Sequence, residues 1–337
     1  MNVLLTGGTG YIGSHTAVAL HKAGHRVVLY DNLSNSNPRV AERLERITGQ
    51  RLPFIEGDVL DAERLCHALQ THQINAVIHF AGLKSVGESL EKPIDYYVNN
   101  VQGTISLLQA MRASNVKTLV FSSSATVYGE PQYLPLDEAH PTSAANPYGR
   151  CKLHSEAILR DVVNSDPCWR IACLRYFNPV GAHESGLIGE CPIGISSNLM
   201  PFIAQVASGE RQELRIFGND YPTPDGTGVR DYVHVMDLAE GHALVLDYLV
   251  DRPGWYVSNL GTGKGHSVLE MVRAFAEASR RPIPYKISPR RAGDVAECYA
   301  SPAKAARELH WVAKRDLASM CASTWHYLTQ IEPSIRS

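Results

Sequence analysis

The chain has 337 residues, of which 44% are hydrophobic and 20% are charged, and its formal net charge is −2. This composition is ordinary for a globular protein of one or two joined domains, and the small net charge gives no reason to expect nucleic acid or a membrane as partner. The seven cysteines show no CxxC spacing, so we expect free thiols in a reducing, cytoplasmic compartment and no metal site. An apolar segment begins at residue 2, and no run of about 18 apolar residues follows, which predicts neither a signal peptide nor a membrane span.

A glycine-rich segment follows the first predicted strand, residues 2–6. Gly7, Gly8, Gly10 and Gly13 give both G-x-G-x-x-G and the related G-x-x-G-x-x-G spacing. Glycine lets the backbone turn sharply and approach a pyrophosphate closely, and the N-terminus of the following helix then faces the negative charge. Because a strand precedes the glycines and a helix follows them, the segment predicts a dinucleotide site.

Carboxylates end the next two apolar segments. Asp31 follows the predicted strand 26–30, where it can bind the ribose hydroxyls of adenosine and would repel a 2′-phosphate. The sequence therefore favours NAD over NADP, and the alternative is a solvated aspartate at a strand end. Asp58 follows the segment 52–56 and supplies a second carboxylate near the adenine edge.

Strands and helices continue to alternate through the first half of the chain. Buried strands are predicted at 76–82, 117–122 and 170–176, with a long helix from about 94 to 113. This alternation predicts an α/β fold with a doubly wound parallel sheet of the Rossmann type. Ligands lie at the carboxyl ends of the strands in such sheets, and Phe80 falls at such an end.

Tyr148 and Lys152 are four residues apart on a predicted helix, so both side chains lie on one face. A phenol beside an ammonium is a way to make a base. Lowering the pKa of a tyrosine from about 10 to about 7 takes roughly 4 kcal/mol, which a neighbouring cation and a positive nicotinamide ring could supply. A chance pair is the alternative, and the other motifs give the catalytic interpretation its weight.

The character of the sequence changes after about residue 180. Glycine, proline and aromatic residues dominate 181–231, which predicts irregular loops facing a substrate. Two separate loops carry Arg230 and Arg291, and arginines suit the bidentate binding of a diphosphate. We expect an NAD-binding domain at 1–180 and a smaller mixed α/β substrate domain at 181–337, with some segments returning to the first domain.

Together these motifs resemble the extended short-chain dehydrogenase/reductase superfamily and, within it, the UDP-galactose (UDP-glucose) 4-epimerase family. The resemblance covers nearly the whole chain, and segment 216–223 is specific to the epimerases. It implies an enzyme that interconverts UDP-galactose and UDP-glucose with tightly bound NAD, by oxidation at C4, rotation of the 4-keto sugar and return of the hydride. It implies that Tyr148 is the base, that Lys152 lowers its pKa, and that Ser124 hydrogen-bonds the sugar 4-oxygen.

The resemblance also implies binding residues, no metal, and a homodimer joined by the helices at 94–113 and 148–164. For NAD the residues are Gly7, Gly10, Tyr11, Ile12, Gly13, Asp31, Asn32, Ser36, Asp58, Val59, Phe80, Ala81, Lys84, Asn99, Ser122, Tyr148, Lys152 and Tyr176. For the UDP-sugar they are Lys84, Ser124, Tyr148, Asn178, Asn198, Leu199, Phe217, Arg230, Tyr232, Arg291, Asp294 and Cys298. Plain loop packing remains the alternative for Phe217 and Tyr232.

Cys298 stands at a position that walls the sugar pocket in the family, where some members carry tyrosine. A cysteine is much smaller and leaves room for an N-acetyl group on C2. This predicts that UDP-N-acetylgalactosamine and UDP-N-acetylglucosamine are interconverted as well. The alternative is a small core residue with no role in specificity.

Two other functions fit the same fold. A nucleotide-sugar 4,6-dehydratase needs a further acid and base, which related dehydratases place just after the serine/threonine strand end; this chain has Ala125 and Thr126 there. A non-catalytic NAD-sensing protein would be expected to lose the tyrosine or the lysine, and this chain keeps both. The sequence therefore favours the epimerase.

Overall fold

The computed structural model describes residues 1–191, 198–291 and 293–330. The described strands, in chain order, are β1 (Asn2–Thr6), β2 (Arg26–Asp31), β3 (Phe54–Glu56), β4 (Ala76–His79), β5 (Thr118–Ser124), β6 (Arg170–Tyr176), β7 (Asn178–Val180), β8 (Leu214–Phe217), β9 (Val229–His234), β10 (Gly254–Leu260), β11 (Gly265–Ser267), β12 (Tyr285–Ser288) and β13 (Glu297–Cys298). The α-helices are α1 (Tyr11–Lys22), α2 (Arg39–Thr48), α3 (Ala62–Thr71), α4 (Val86–Glu91), α5 (Pro93–Tyr96), α6 (Gly103–Ala113), α7 (Pro147–Ser165), α8 (Leu199–Ala207), α9 (Val235–Leu249), α10 (Val268–Ser279), α11 (Ala303–Leu309) and α12 (Leu317–Gln330).

The chain divides into two compact units. The first unit comprises Met1–Gly129, Pro141–Tyr176 and Ala239–Ser258, and the second comprises Glu130–His140, Phe177–Leu238 and Asn259–Ser337 as far as these are described. The first unit thus takes in a segment from the second half of the chain. The single boundary near residue 180 stays a prediction.

The first unit is built on a seven-stranded sheet with the order β10-β6-β5-β4-β1-β2-β3. The pairs from β3 across to β6 are parallel, which confirms the predicted Rossmann-type sheet. The strands read as continuous apolar runs because both faces are covered, and Leu4, Val77 and Leu119 are fully or almost fully buried. Burying each such side chain contributes about 1.5–3 kcal/mol.

The strand order reverses between β1 and β4, since the chain runs from β1 to β3 on one side and from β4 to β6 on the other. At this switch point the carboxyl ends of neighbouring strands leave a crevice for a ligand. Gly7 follows β1, Phe80 follows β4, and Ser124 and Tyr176 are the last residues of β5 and β6. The sheet therefore gathers predicted site residues at one edge.

The predicted helix at 94–113 is interrupted. It begins as α5, passes through a π-helix at Tyr97–Gln102 and continues as α6. The π segment holds Asn99 and Asn100, whose side-chain oxygens both accept from the backbone N–H of Leu83, at 3.2 and 2.8 Å. A π segment adds one residue and so shifts the apolar periodicity by a single position, and such segments often lie at functional sites.

The second unit contains a four-stranded sheet, with the order β11-β9-β13 and with β7 also paired to β9, and a separate pair of β8 and β12. Helices α8, α10 and α12 form its apolar core, in which Ile203, Met271 and Cys321 are buried. This mixed α/β arrangement agrees with the predicted character of the substrate domain. The seven cysteines are all free thiols, and no helix in the described part of the chain is long and apolar enough to cross a membrane.

Candidate active site

The glycine-rich turn after β1 brings backbone atoms together more closely than any side chain would allow. Gly7 has φ +68°, and a Cβ there would lie 2.8 Å from the backbone nitrogen of Ala81. A Cβ on Gly13 would overlap the carbonyl oxygen of Gly7. Helix α1 begins at Tyr11 with Gly10 as its N-cap, and no side chain caps it. The first-turn N–H groups, at the positive end of the helix dipole, are therefore suited to an anionic ligand such as a pyrophosphate.

Asp31 ends β2 beside this turn, and it organises the loop that follows. Its carboxylate accepts from the backbone N–H groups of Thr9 and Leu33, at 3.1 and 2.9 Å, and from the Ser36 hydroxyl at 3.1 Å. Thr9 closes the ring through a 2.8 Å hydrogen bond to Ser36. The predicted cofactor residues Asp31 and Ser36 are thus brought together, and Thr9 is a member of the cluster that the sequence analysis missed.

A second cluster lies at the end of β3. The Asn32 side-chain amide donates to the Asp58 carboxylate at 2.9 Å, and Tyr30 donates to the backbone oxygen of Asp58 at 2.9 Å. Val59 is buried, with its side chain close to Gly103. These contacts place Asn32, Asp58 and Val59 beside each other at the outer strands, as a site for the adenosine end of a dinucleotide would require.

Ser124, Tyr148 and Lys152 meet where β5 and α7 pack together. The Lys152 ammonium donates to the backbone oxygen of Ser122 at 2.7 Å, and it lies 5.8 Å from the centroid of the Tyr148 ring. The Ser124 hydroxyl oxygen accepts from the N–H and the hydroxyl of Thr126, at 3.2 and 2.9 Å. The hydroxyl proton of Ser124 can therefore be donated to another group, and a hydrogen bond joins Ser124 to the Tyr148 side chain.

Burial shifts the pKa of both groups of the pair. Desolvation raises the pKa of Tyr148 to about 12, and the hydrogen bond from Ser124 lowers it by less than burial raises it. Desolvation also lowers the pKa of Lys152 to about 8, against smaller raising effects of nearby Cys151, Cys173 and Glu156. Burial thus opposes the charged form of each group. The polypeptide alone therefore does not stabilise the phenolate of Tyr148 at neutral pH. A further positive charge beside Tyr148 is required for that.

Aromatic groups from β4, β6 and α9 lie together beside this pair. The Tyr176 hydroxyl is hydrogen-bonded to the Nε2 atom of His242, and the Phe80 ring centroid lies 4.9 Å from that of His242. Burial raises the pKa of Tyr176, and a hydrogen bond with Ser122 partly offsets the rise. The sequence analysis predicted Phe80, Tyr176 and Ser122 but missed His242, because a lone histidine within a helix carries no motif or spacing.

Two of the predicted cofactor residues, Lys84 and Asn99, lie in or contact the loop after β4. Lys84 is an exposed side chain in the loop after β4. Asn99 is half-buried in the π-helix and bonds the backbone of that same loop through Leu83. Both therefore lie near the carboxyl end of β4, and Asn99 does so from the segment 94–113 that was predicted to be one helix.

In the second unit, the register of the sheet brings four predicted substrate residues together. On β9, Arg230 pairs with Cys298 of β13, and Tyr232 pairs with Asn178 of β7. The Arg230 guanidinium donates to the backbone oxygen of Val229 at 2.8 Å, which fixes its direction. Burial raises the pKa of Tyr232 to about 12 and that of Cys298 to about 11, so both stay neutral near pH 7.

A second group of predicted substrate residues connects β8 with the loop before β13. The Arg291 guanidinium lies 4.7 Å from the centroid of the Phe217 ring and donates to the Asp294 carboxylate at 2.9 Å. A guanidinium stacked on a ring can still hydrogen-bond through its N–H edges, and in Arg291 the Nε–Nη2 edge is directed at Asp294. Asn198 and Leu199 lie apart from this group at the start of α8, where Asn198 donates to Glu190 at 2.7 Å.

The chain is similar to known proteins over nearly its whole length. A family model described as GDP-mannose 4,6 dehydratase matches residues 4–324. The chain is 55% identical to the UDP-glucose 4-epimerase of Bacillus subtilis, over 97% of this chain and 96% of that protein. Among solved structures it is similar to the UDP-glucose 4-epimerase of Stenotrophomonas maltophila with bound NAD and formylated UDP-arabinopyranose, with 52% identity, 98% coverage of each chain and a TM-score of 0.96. The Bifidobacterium longum UDP-glucose 4-epimerase in complex with NAD⁺ and UDP is 51% identical over 100% of each chain, with a TM-score of 0.96.

The doubly wound sheet, the glycine turn and the Ser-Tyr-Lys arrangement define an extended short-chain dehydrogenase/reductase, and the model match agrees. Within that superfamily, the chain belongs to the UDP-glucose 4-epimerase family. The resemblance drawn from the sequence is confirmed.

Proposed function

We propose that the protein interconverts UDP-galactose and UDP-glucose with bound NAD. The observation that carries the proposal is the meeting of Ser124, Tyr148 and Lys152 at the end of β5, each held by a contact within the first unit. The activity named for relatives that are 51–55% identical over nearly the whole chain supports it.

The first unit fits NAD. The Gly7–Gly13 turn leaves a cradle that a Cβ would fill, and the uncapped start of α1 suits the pyrophosphate. Asp31 would hold the adenosine ribose and disfavour the 2′-phosphate of NADP. The structures of the related epimerases contain NAD or NAD⁺. When bound, NAD supplies reversible acceptance of a hydride from the sugar C4.

The chain's own residues handle the proton of the sugar 4-hydroxyl. Tyr148 as phenolate takes this proton while C4 is oxidised, and it gives the proton back when C4 is reduced on the opposite face. Thr126 already donates two hydrogen bonds to the Ser124 oxygen, so Ser124 acts as a donor. It donates to the Tyr148 oxygen or to the sugar 4-oxygen, whichever carries the negative charge. Lys152 contributes a positive charge beside Tyr148 in a buried site, where charges interact strongly.

The substrate's diphosphate would be bound by the second unit. Arg230 and Arg291 present guanidinium groups whose direction is fixed by the Val229 carbonyl and by the Phe217 ring. Bidentate contacts of this kind recognise phosphate oxygens. Asn178, Asn198, Leu199, Tyr232 and Asp294 would complete the UDP-sugar contacts.

A 4,6-dehydratase removes water from the sugar with an additional acid and base. This chain has neither at the two positions after Ser124 where the related dehydratases carry them. Ala125 has no acid or base, and Thr126 donates both its N–H and its hydroxyl to Ser124. Together they form a 3-10 turn after β5. This supports epimerisation over elimination, although the matching family model carries the name of a dehydratase.

We further propose that N-acetylated UDP-sugars are substrates. Cys298 is half-buried beside Arg230, so its small side chain would form part of the wall around the sugar. Because burial raises the pKa of its thiol to about 11, it acts through its size rather than as a nucleophile. A cysteine here leaves space for the acetyl group on C2.

We also propose a homodimer. Leu90 of α4, Ile94 of α5 and Val98 of the π-helix are 61%, 75% and 46% exposed. Large apolar side chains exposed within one short segment are typical of a surface that packs against another chain. Ile94→Glu should shift the sedimentation of the protein from dimer to monomer, and an unchanged mass would contradict this surface.

A two-stage assay on purified protein tests the proposed function. UDP-galactose is incubated with the protein without added cofactor, the protein is removed, and the UDP-glucose formed is then measured with UDP-glucose dehydrogenase and added NAD⁺. We expect turnover without added NAD, because the tightly bound cofactor proposed here should copurify with the chain. Absence of UDP-glucose both with and without added NAD would overturn the proposal.

A further inference from the structure

A buried ion pair lies next to the candidate catalytic residues but touches none of their reacting atoms. Glu156 of α7 and Arg175 of β6 are each 5% exposed and form a two-pronged contact, with Nε to Oε1 at 3.0 Å and Nη2 to Oε2 at 2.7 Å. Arg175 also donates to the Tyr128 hydroxyl at 3.1 Å and lies 4.9 Å from the centroid of that ring. Removing two charges from water is expensive, and apolar replacements of buried pairs are often neutral or stabilising. Stability alone therefore gives no reason for this pair.

The pair is connected to the active site through Ser123. The Ser123 hydroxyl donates to Glu156 Oε1 at 2.5 Å, so β5 is joined to the middle of α7. The residues on either side of Ser123 make the two catalytic contacts from β5: the Ser122 carbonyl accepts from Lys152, and Ser124 bonds Tyr148. Glu156 itself lies one turn beyond Lys152 and two turns beyond Tyr148 on the same helix.

We propose that Ser123, Glu156 and Arg175 are positioning residues, which fix the end of β5 against α7 so that Ser124 faces Tyr148 and the Ser122 carbonyl faces Lys152. We call this set the β5–α7 clamp. The proposal rests on the proposed epimerase function, since it assigns the clamp to the same catalytic pair. A misplacement of about 1 Å in such a pair can lower the rate about a hundredfold, so a rigid clamp has a catalytic purpose.

Within the clamp, Glu156 acts on the charge of Lys152, and Arg175 compensates the charge of Glu156. Besides Glu156, the titratable groups with an electrostatic effect on Lys152 are Cys151 of α7 and Cys173 of β6. The charge of Lys152 in turn lowers the pKa of His79 of β4, and the charge of Tyr148 raises the pKa of Tyr176 of β6. Cys151, Cys173 and Tyr176 have raised pKa values, and His79 has a lowered one. All four are therefore neutral near pH 7. The charged groups from α7 and β6 are then Glu156 and Arg175, together with Arg150 and Arg160 of α7, which act on Cys151 and Cys173.

This compensation predicts opposite effects for the two single charge variants. Glu156→Gln leaves the positive Arg175 uncompensated, which favours the phenolate of Tyr148 and disfavours the ammonium of Lys152, so both pKa values fall. Arg175→Met leaves the negative Glu156 uncompensated, and both pKa values rise. The shift should be about one pH unit for Lys152, one turn from Glu156, and smaller for Tyr148, two turns away. The double variant Glu156→Gln/Arg175→Met should return the pKa values to those of the wild type.

The experiment uses the NAD-bound protein and two readouts. The pH profile of kcat is measured for the wild type, both single variants, the double variant and Ser123→Ala. In parallel, the pKa of Tyr148 is read from the ultraviolet difference spectrum of its phenolate, with Tyr148→Phe in each background as the blank. We expect opposite shifts in the two single variants and, in the double variant and in Ser123→Ala, an unshifted profile with kcat about tenfold lower and an almost unchanged KM.

A matched control separates positioning from stability. Ser279→Ala also removes one buried hydroxyl, which donates to the Phe275 carbonyl at 2.7 Å within the second unit. It should lower the midpoint of thermal unfolding as Ser123→Ala does but leave kcat unchanged. If the clamp variants lose stability while kcat and both pKa readouts match the wild type, the pair is only structural and the proposal is wrong.

Failure of the proposed function would be visible separately. A wild-type protein that does not epimerise UDP-galactose would overturn that function, whereas the tyrosine spectrum would still report on the clamp. If Glu156→Gln or Arg175→Met fails to fold, Ser123→Ala and the double variant decide through kcat. Wild-type kcat in both of these would overturn the clamp.

Discussion

The ammonium of Lys152 lies 5.8 Å from the centroid of the Tyr148 ring, one helical turn along α7. Both side chains are buried, and burial moves the pKa of Tyr148 up to about 12 and that of Lys152 down to about 8. Near pH 7, Tyr148 is thus the neutral phenol, whereas Lys152 is still mostly the charged ammonium. Because charges in such a site are weakly screened, a positive ring bound beside Tyr148 would favour the phenolate strongly.

Tyr148→Phe removes the proposed base while leaving the ring in place. We expect kcat to fall by about 10²–10⁴-fold, the range that general base catalysis contributes. NAD should remain bound, because the glycine turn and Asp31 are untouched. The measurement is the two-stage epimerase assay, together with the NAD content of the purified variant. Full activity in Tyr148→Phe would refute the assigned role.

Gly13→Ala tests the cofactor cradle. An added Cβ would overlap the Gly7 carbonyl oxygen, so the turn must open, and overpacking of this kind costs about 1–3 kcal/mol. The Kd for NAD should rise about tenfold to a hundredfold. Gly87→Ala in α4 is the matched control, since a Cβ there meets nothing within 4 Å. Equal NAD affinity in both variants would show that the Gly13 turn does not contact the cofactor.

Cys298→Tyr tests whether the small side chain at this position lets the site accept N-acetylated UDP-sugars. The wild type should turn over both UDP-galactose and UDP-N-acetylgalactosamine. The variant should keep the first activity and lose at least about tenfold in kcat/KM for the second, because the larger ring fills the space for the acetyl group. Cys168→Tyr, at an exposed cysteine of the first unit, controls for the substitution itself. A wild type without activity on the N-acetylated sugar would contradict the pocket argument.

His79 makes the free energy of unfolding depend on pH. It is fully buried, bonds the hydroxyls of Thr6 at 2.7 Å and Thr104 at 3.3 Å, and its pKa is lowered from 6.5 to about 3, mainly by desolvation and further by Lys152. Between these two pKa values the unfolded chain binds a proton that the folded chain does not. The stability from this group is therefore complete above about pH 6.5 and is lost as the pH falls towards 3, at up to about 1.4 kcal/mol per pH unit.

His79→Asn removes this dependence. Between pH 7 and pH 5, the free energy of unfolding from urea titrations should fall about 2 kcal/mol less in His79→Asn than in the wild type. His67→Asn, at an exposed histidine of α3, should behave like the wild type. The same fall in all three proteins would mean that His79 is protonated in the folded state.

The sequence predicted the parts of the site that lie at the ends of strands. Gly7, Asp31, Phe80 and Ser124 each follow or end an apolar run, and parallel strands bring such positions to one edge of a sheet. The Tyr148–Lys152 spacing was sufficient to put both groups on one face of α7. These predictions needed only local periodicity and one topological rule.

Other features depend on contacts between distant segments, which periodicity does not encode. Glu156 and Arg175 are separated by 19 positions and meet only because α7 packs on β6. His242 reaches Tyr176 from 66 positions away. The π-helix that carries Asn99 adds one residue to a turn, which shifts the apolar pattern of this segment by only one position. The grouping of 239–258 with the first unit is likewise a property of the tertiary fold.

The most direct test of the central claim follows the hydrogen on C4. UDP-galactose carrying deuterium at C4 is converted by the purified protein in ordinary water, and the UDP-glucose is analysed by mass spectrometry and NMR. The account predicts that the deuterium is kept at C4 of the product, because it leaves and returns as hydride within one closed site. Loss of the label to water would contradict hydride transfer and, with it, the roles given to Tyr148 and Lys152.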